Sequence, residues 1–231
     1  MGKRMPPGTS LYSRLDAVVE RQGLCVAIIA ENQNITYLAL RTAIDNCAAT
    51  LAARGLRRGQ SVAVSFTRPE LYPITLFAAS KIGVSLVFAG FDDATNVTPK
   101  PDRLLTDDRM PIAQRKGALV MDQTWFAPRP SGPASRLAKT GNVVFVFGTS
   151  GSSGRRKFVR IGEANLINRL SSYEIYIDGD TRLMCTIGMG LLASTETCLT
   201  TLLFGGSIVM PPGNRQSLAH YIDLFQVNAL Q

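Results

Sequence analysis

The amino-acid order predicts an α/β fold: largely parallel sheets flanked by helices, in a two-part arrangement. Three observations carry this. Short apolar runs bounded by turn residues recur at 24–30, 61–66, 84–89, 117–121, 142–147, 182–187 and 207–210, the pattern of buried strands. Apolar residues at helical spacing fall between them, most clearly over 37–54. The strand–helix–strand run over 61–89 has the spacing of a crossover between parallel strands.

Taken in order, residues 1–9 form a disordered lead rich in proline and glycine, and Ser10 is an N-cap candidate. Leu11, Leu15, Val18 and Val19 form the stripe of a first helix. After a short strand, 31–34 is a turn and Ile35-Thr36 resumes extended structure. Over 37–54, Leu40, Ile44, Cys47, Ala48 and Leu51 share one helical face, and Gly55 is the stop signal.

A strand over 61–66 leads to Pro69, expected in the first turn of a helix that runs to Ile82 and stops at Gly83. Residues 90–108 read as polar and turn-rich, and 117–121 as a strand. Pro128, Pro130 and Pro133 mark 122–140 as a surface connector. It separates a first α/β subdomain, 10–121, from a second α/β portion, 141–231. In the second portion helices are expected at 163–173, with Leu166, Ile167 and Leu170 inward, at 191–204 and at 216–225. Gly205-Gly206 is a turn, and a further strand begins at Val227, close to the last residue, Gln231. The expectation is a truncated domain, whose unfinished sheet edge can pair with a second copy.

Composition narrows the classes. The chain has 231 residues, 45% hydrophobic and 18% charged, which suits a packed core rather than disorder. The net charge of +8 comes from scattered basic residues without interleaved aromatics, which argues against nucleic acid as a partner. Cys25, Cys47, Cys185 and Cys198 are widely spaced, each in an apolar run. They read as buried free thiols rather than a disulfide framework or a metal site. His220 is the one histidine and falls on an amphipathic helix. The N-terminus lacks an apolar signal segment, and no apolar run is long enough to span a membrane. The expected location is the cytoplasm.

The chemistry concentrates in residues 148–157, GTSGSSGRRK. Glycines let backbone N–H groups converge on an anion. The hydroxyls of Thr149, Ser150, Ser152 and Ser153 add donors, and Lys157 adds a point charge. The run follows an apolar strand directly, which places it at the carboxyl edge of a sheet, where open α/β sheets bind ligands. It is neither the Walker pattern nor the dinucleotide fingerprint. A Gly/Ser linker is the competing reading. Apolar extended runs tight on both sides favour a phosphate-holding loop.

This loop resembles the signature of the adenylate-forming enzymes (acyl-CoA synthetases, nonribosomal adenylation domains and luciferases), approximately Y-T-S-G-T-T-G-x-P-K-G. Thr149, Ser150, Gly151, Ser152, Ser153, Gly154 and Lys157 fall on it. Residues 35–40 resemble that family's L-T-Y-x-E-L, and 76–88 its L-x-A-x-x-K-x-G-A-x-x-V-P. Residues 159–166 resemble V-x-x-S-H-x-N-L, and 202–212 L-x-x-G-A-x-x-V-L-P-P. Arg156 stands where the family usually has proline and Phe158 where it has glycine. Residues 188–191, Gly-Met-Gly-Leu, replace its substrate-side P-x-F-H.

The resemblance implies the N-terminal part of an ATP-dependent, Mg-requiring ligase that activates a carboxylic acid as its adenylate. A thiol acceptor, CoA or a carrier protein, would then take the acyl group. The matched loop residues would hold the β- and γ-phosphates. No residue is nominated as a general base. The family's later motifs are missing from these 231 residues, so the chain alone is expected to be inactive. The alternative of another class is a non-catalytic, degenerate relative that acts as an interaction or scaffolding module.

Overall fold

The computed structural model describes residues 9–30, 33–94, 96–115, 117–126, 143–149, 157–173, 176–211 and 218–231. Residues 1–8 of the lead, expected to be disordered, and 127–140 of the proline-rich connector lie outside the described residues. By compactness the chain divides into two units, Met1–Arg41 with Leu166–Gln231, and Thr42–Asn165.

The first unit opens with α1 (Leu11–Gln22). Ser10 caps it as expected, through a capping box: the Ser13 amide donates to the Ser10 hydroxyl at 3.1 Å, and the Ser10 amide donates to the Ser13 hydroxyl at 3.0 Å. These bonds occupy amides that a helix start leaves without partners. The stripe Leu11, Leu15, Val18 and Val19 is buried. β1 (Val26–Ala30), β2 (Gln33–Thr36) and α2 (Tyr37–Ala53) follow. After α5 (Glu163–Ser171) the unit is completed by β9 (Arg182–Met184), α6 (Leu192–Phe204), β10 (Ser207–Val209), α7 (Leu218–Phe225) and β11 (Ala229–Leu230). Its sheet has the order β11-β9-β10-β1-β2. Every pairing is parallel except β1 with β2.

Two motifs that lie far apart in the sequence close this unit. The Tyr37 hydroxyl, buried at the start of α2, donates to the carbonyls of Leu202 at 2.9 Å and Gly206 at 2.7 Å. Burial pushes the phenol well above its ordinary range, so it stays a donor. The α6 terminus turns at Gly205, whose φ of 91° favours glycine.

The second unit holds the rest of α2, whose Ile44, Cys47, Ala48 and Leu51 are all buried as the spacing predicts. β3 (Ser61–Ser65), α3 (Leu71–Ile82) and β4 (Ser85–Phe88) form the crossover. α3 stops at Gly83, in the left-handed conformation with φ 78°. Its start corrects the expectation. Pro69 lies in the turn before the helix, where its carbonyl accepts from the Tyr72 amide at 3.2 Å. The proline of the first turn is Pro73, at a position where a missing N–H costs little.

A short α4 (Phe91–Ala94) and a strand β5 (Arg103–Asp107) lie in the stretch read as polar and turn-rich. β5 is set by pairing on both sides, with β3 and with β6 (Ala118–Met121). Trp125, at the start of the expected surface connector, is buried, with the Arg54 guanidinium 5.9 Å from its ring centroid. β7 (Val144–Thr149) and β8 (Lys157–Gly162) complete a sheet of order β6-β5-β3-β4-β7-β8. Its pairings are parallel except β7 with β8. No described helix is long and apolar enough to cross a membrane.

Candidate functional site

The site is built on β7, which lies between β4 and β8. Phe145, Val146 and Phe147 are buried. Phe147 stacks on Phe88 of the neighbouring strand with centroids 4.7 Å apart and planes 5° apart. Phe88 stacks on Tyr72 at 6.2 Å, and Tyr72 meets Phe66 edge-on at 5.1 Å. This aromatic row holds the carboxyl end of β7 in place through parallel strands and α3. Val146 joins Ala63, Val87, Ala89, Ala94 and Val97 in a buried cluster. Phe158, one of the departures from the resembled signature, packs against that cluster, so its ring serves the core.

β7 and β8 pair antiparallel from Val144↔Gly162 to Thr149↔Lys157. The pairing brings Thr149 and Lys157, the two residues that flank 150–156 in the sequence, to the edge where the parallel strands β3, β4, β5, β6 and β7 end. Thr149 and Lys157 are direct cross-strand partners, so their side chains leave the same face of the sheet. Both are exposed. The Thr149 hydroxyl donates to the Lys157 carbonyl at 3.2 Å. Of the candidate residues, the structure brings Thr149 and Lys157 together. Ser150, Gly151, Ser152, Ser153 and Gly154 lie outside the described residues.

The base of the hairpin is tied down as well. The Glu163 amide donates to the Val143 carbonyl at 2.9 Å, and the Ser80 hydroxyl donates to the buried Glu163 carboxylate at 2.5 Å. The Val144 amide donates to the Ser85 hydroxyl at 3.0 Å. Ser80 of α3, Ser85 of β4 and Glu163 of α5 therefore fix the strand pair at its base, where β7 begins and β8 ends. Sequence reading passed over Ser80, Ser85 and Glu163, because their hydroxyls and carboxylate become meaningful only once strand order is known.

Segment 185–191 belongs to the first unit and follows β9. The Ser194 hydroxyl lies 2.9 Å from the Gly188 carbonyl and 3.0 Å from that of Leu191, which holds the segment over the start of α6. Ile187 and Leu191 are exposed, and Met189 is buried. The cysteines correct the expectation of four buried thiols. Cys47 and Cys198 are buried, Cys185 is half-buried and Cys25 is exposed. Cys25 lies just before β1, outside the sheet that its apolar neighbours enter. Burial pushes the Cys47 thiol up to about 12.

A strongly fixed carboxylate lies at the carboxyl end of β5. Asp107 accepts from the Thr67 amide at 2.5 Å, the Thr67 hydroxyl at 2.7 Å and the Arg109 amide at 2.9 Å. Burial alone would raise this carboxyl group. The bonds from Thr67, Arg109 and Arg68 outweigh it and hold the group below the usual carboxylate range. All its near partners are donors that shape the β3 and β5 turns, so it organises backbone rather than presenting a base.

Two sheets, each parallel except for one antiparallel outer pair, give the architecture of the adenylate-forming enzymes. Residues 15–95 match the family model described as AMP-binding enzyme. Malformin synthetase of Aspergillus sclerotiicarbonarius is 30% identical over 221 residues, 88% of this chain and 4% of that protein. Among solved structures, o-succinylbenzoate coenzyme A synthetase of Bacillus subtilis, in complex with AMP, superposes with a TM-score of 0.80. It is 17% identical, over 94% of this chain and 48% of that one. The Klebsiella oxytoca NpsA N-terminal subdomain, in complex with 3-hydroxybenzoyl-AMSN, gives a TM-score of 0.78 and 23% identity over 96% and 59%. The chain thus resembles the N-terminal part of adenylate-forming enzymes in sequence and in fold. It spans 4% of that curated relative's length and about half of these two solved chains.

Proposed function

We propose that this chain is the N-terminal portion of an ATP-dependent, carboxylate-activating ligase. In this reading Thr149, Ser150, Gly151, Ser152, Ser153, Gly154 and Lys157 hold the β- and γ-phosphates of ATP. One observation carries it: Thr149 and Lys157, both exposed, stand side by side at the carboxyl edge of five parallel strands and flank the Gly/Ser run in the sequence. A cation, a hydroxyl and a run of small residues at such an edge suit a polyanion.

ATP, with Mg as its counter-ion, supplies the reaction with an electrophilic α-phosphorus and a pyrophosphate leaving group. The role of the chain is positioning and charge compensation. Lys157 offsets charge that grows on the departing pyrophosphate. Thr149 has its hydroxyl hydrogen on the Lys157 carbonyl, so it must turn that hydrogen outward to serve a phosphate. The carboxylic acid partner becomes the acyl-adenylate, and a thiol, of CoA or a carrier protein, receives the acyl group.

The test is ATP–pyrophosphate exchange by the full gene product across a panel of carboxylic acids, with calorimetric ATP titration of the 231-residue chain. The expected result is acid-dependent exchange, and ATP affinity lowered about tenfold by Lys157→Ala, since a charge-assisted phosphate contact is lost. No exchange with any acid class, together with ATP binding indifferent to Lys157→Ala, would overturn the reading in favour of a non-catalytic interaction module.

A further inference from the structure

The sheet of the first unit reverses its winding at β9. From β9 the chain passes through α6 to β10 on one side, then through α7 back to β11 on the other. β9 runs parallel to both neighbours. Open parallel sheets bind ligands outside the carboxyl ends of two strands whose connections part in this way. The residues at that place are Cys185 and Thr186, just after β9, and Gln231, just after β11.

Gln231 is held firmly at this edge. Its amide donates to the Met184 carbonyl at 3.2 Å, and its carbonyl accepts from the Thr186 amide at 3.2 Å and from the Thr186 hydroxyl. The side chain is oriented as well. The Thr197 hydroxyl of α6 spends its hydrogen on the Ala193 carbonyl at 2.8 Å, so toward Gln231 it acts as an acceptor, and Gln231 Nε2 donates to it at 2.9 Å. With the nitrogen on Thr197, the other end of the amide, Oε1, faces elsewhere. Oε1 is enclosed, and among the described residues it has no hydrogen-bond partner. A buried acceptor calls for a donor.

We propose that the edge between β9 and β11 binds the hydroxyl group of a small organic ligand, with Gln231 Oε1 as its acceptor. Taken with the proposed function, on which this assignment rests, the ligand is the acid to be activated, and its class is a hydroxy acid with an apolar body. The charges favour hydroxyl over ammonium. Residues 185–194 contain no acidic side chain. The one carboxylate of α6, Glu196, is buried and already compensated. The Arg169 guanidinium donates to both of its oxygens, from Nε and, at 3.2 Å, from a terminal nitrogen, and the Tyr173 hydroxyl donates to it at 3.3 Å. An ammonium group would lack a counter-charge, whereas a hydroxyl needs only a neutral acceptor. The segment that follows β9 at the same edge exposes Ile187 and Leu191, which suit an apolar body.

The test is ATP–pyrophosphate exchange by the full gene product with linear, branched and aromatic hydroxy acids. Each is set beside the acid that lacks the hydroxyl and, for the α-hydroxy acids, beside the α-amino acid. The expected kcat/KM of the best hydroxy acid is about tenfold or more above that of its unsubstituted counterpart, which leaves Oε1 unpaired. Gln231→Met keeps the length of the side chain and removes the acceptor, and the ratio is expected to fall to about one. A merely structural role for Gln231 would lower both rates and keep the ratio. Should the variant fail to fold, the comparison of acids by the parent enzyme decides. An unsubstituted acid or an α-amino acid used as well as the hydroxy acid, or a ratio unchanged in Gln231→Met, overturns this assignment and leaves the proposed function standing. No exchange with any acid overturns both.

Discussion

The Tyr37 hydroxyl and the Gly206 carbonyl lie 2.7 Å apart in the buried interior of the first unit, joining residues 169 positions apart in the chain. The first belongs to the 35–40 motif and the second to the 202–212 motif, so two stretches that are weak signals separately prove to be the halves of one contact. Tyr37→Phe deletes the donor to the Gly206 carbonyl and leaves the Leu202 carbonyl with the Gly205 amide. It is expected to destabilise the chain by about 1–3 kcal/mol, read as a lower urea midpoint at unchanged slope. No shift in the midpoint would show that the contact adds nothing.

Gly206 is constrained by space. A Cβ there would meet the Thr181 carbonyl oxygen at 2.6 Å and the Asp178 carbonyl oxygen at 3.0 Å, both backbone atoms that cannot turn aside. Gly206→Ala is expected to cost about 1–3 kcal/mol through backbone displacement. A thermal melt of the variant within a degree of the parent would contradict this.

The Phe88–Phe147 stack supports the strand that carries the Gly/Ser loop. Phe147→Ala removes a fully buried ring and is expected to cost about 3–5 kcal/mol. Phe147→Leu keeps most of the volume and should cost less than half as much. Chemical denaturation of the two variants checks the order, and equal losses would mean that ring contact is not what holds β7.

Asp107 gives a pH dependence whose sign follows from its hydrogen bonds. Its carboxyl group is held below the unfolded value of roughly 3.9, so its stabilising contribution is fully present above that pH. The contribution fades as pH falls toward the lower folded value. Asp107→Asn should lower stability at pH 7, and the gap to the parent should shrink below about pH 4. A gap constant from pH 7 to pH 3 would refute this.

Much of this fold is legible in the sequence where local pattern and tertiary burial agree. The α2 face of Leu40, Ile44, Cys47, Ala48 and Leu51, the Ser10 cap and the Gly83 stop are all of that kind. β5 is not, because Arg103–Asp107 brings only Leu104 and Leu105 as large apolar residues, and its extended form depends on β3 and β6. Pro69 and Pro73 both suit a helix start, and the Pro69 turn decides between them. The loop ends Thr149 and Lys157 are visible as residue types. Their opposition, and the bond that occupies the Thr149 hydroxyl, depend on an antiparallel register that a run of Gly and Ser does not encode. Cys25 misleads because an apolar neighbourhood in sequence does not guarantee a place inside.

The two units are also made in different ways during synthesis. Thr42–Asn165 is continuous and can close as soon as it leaves the ribosome. The sheet of the other unit waits: the Ser207 hydroxyl donates to the Val26 carbonyl across 181 residues, and β1 borders β10. At about 5–20 residues per second, β1 and β2 spend roughly 10–40 s without that neighbour. During translation the nascent chain therefore leaves the β1 edge that will meet β10 open to other chains for tens of seconds, after the continuous unit can already have closed.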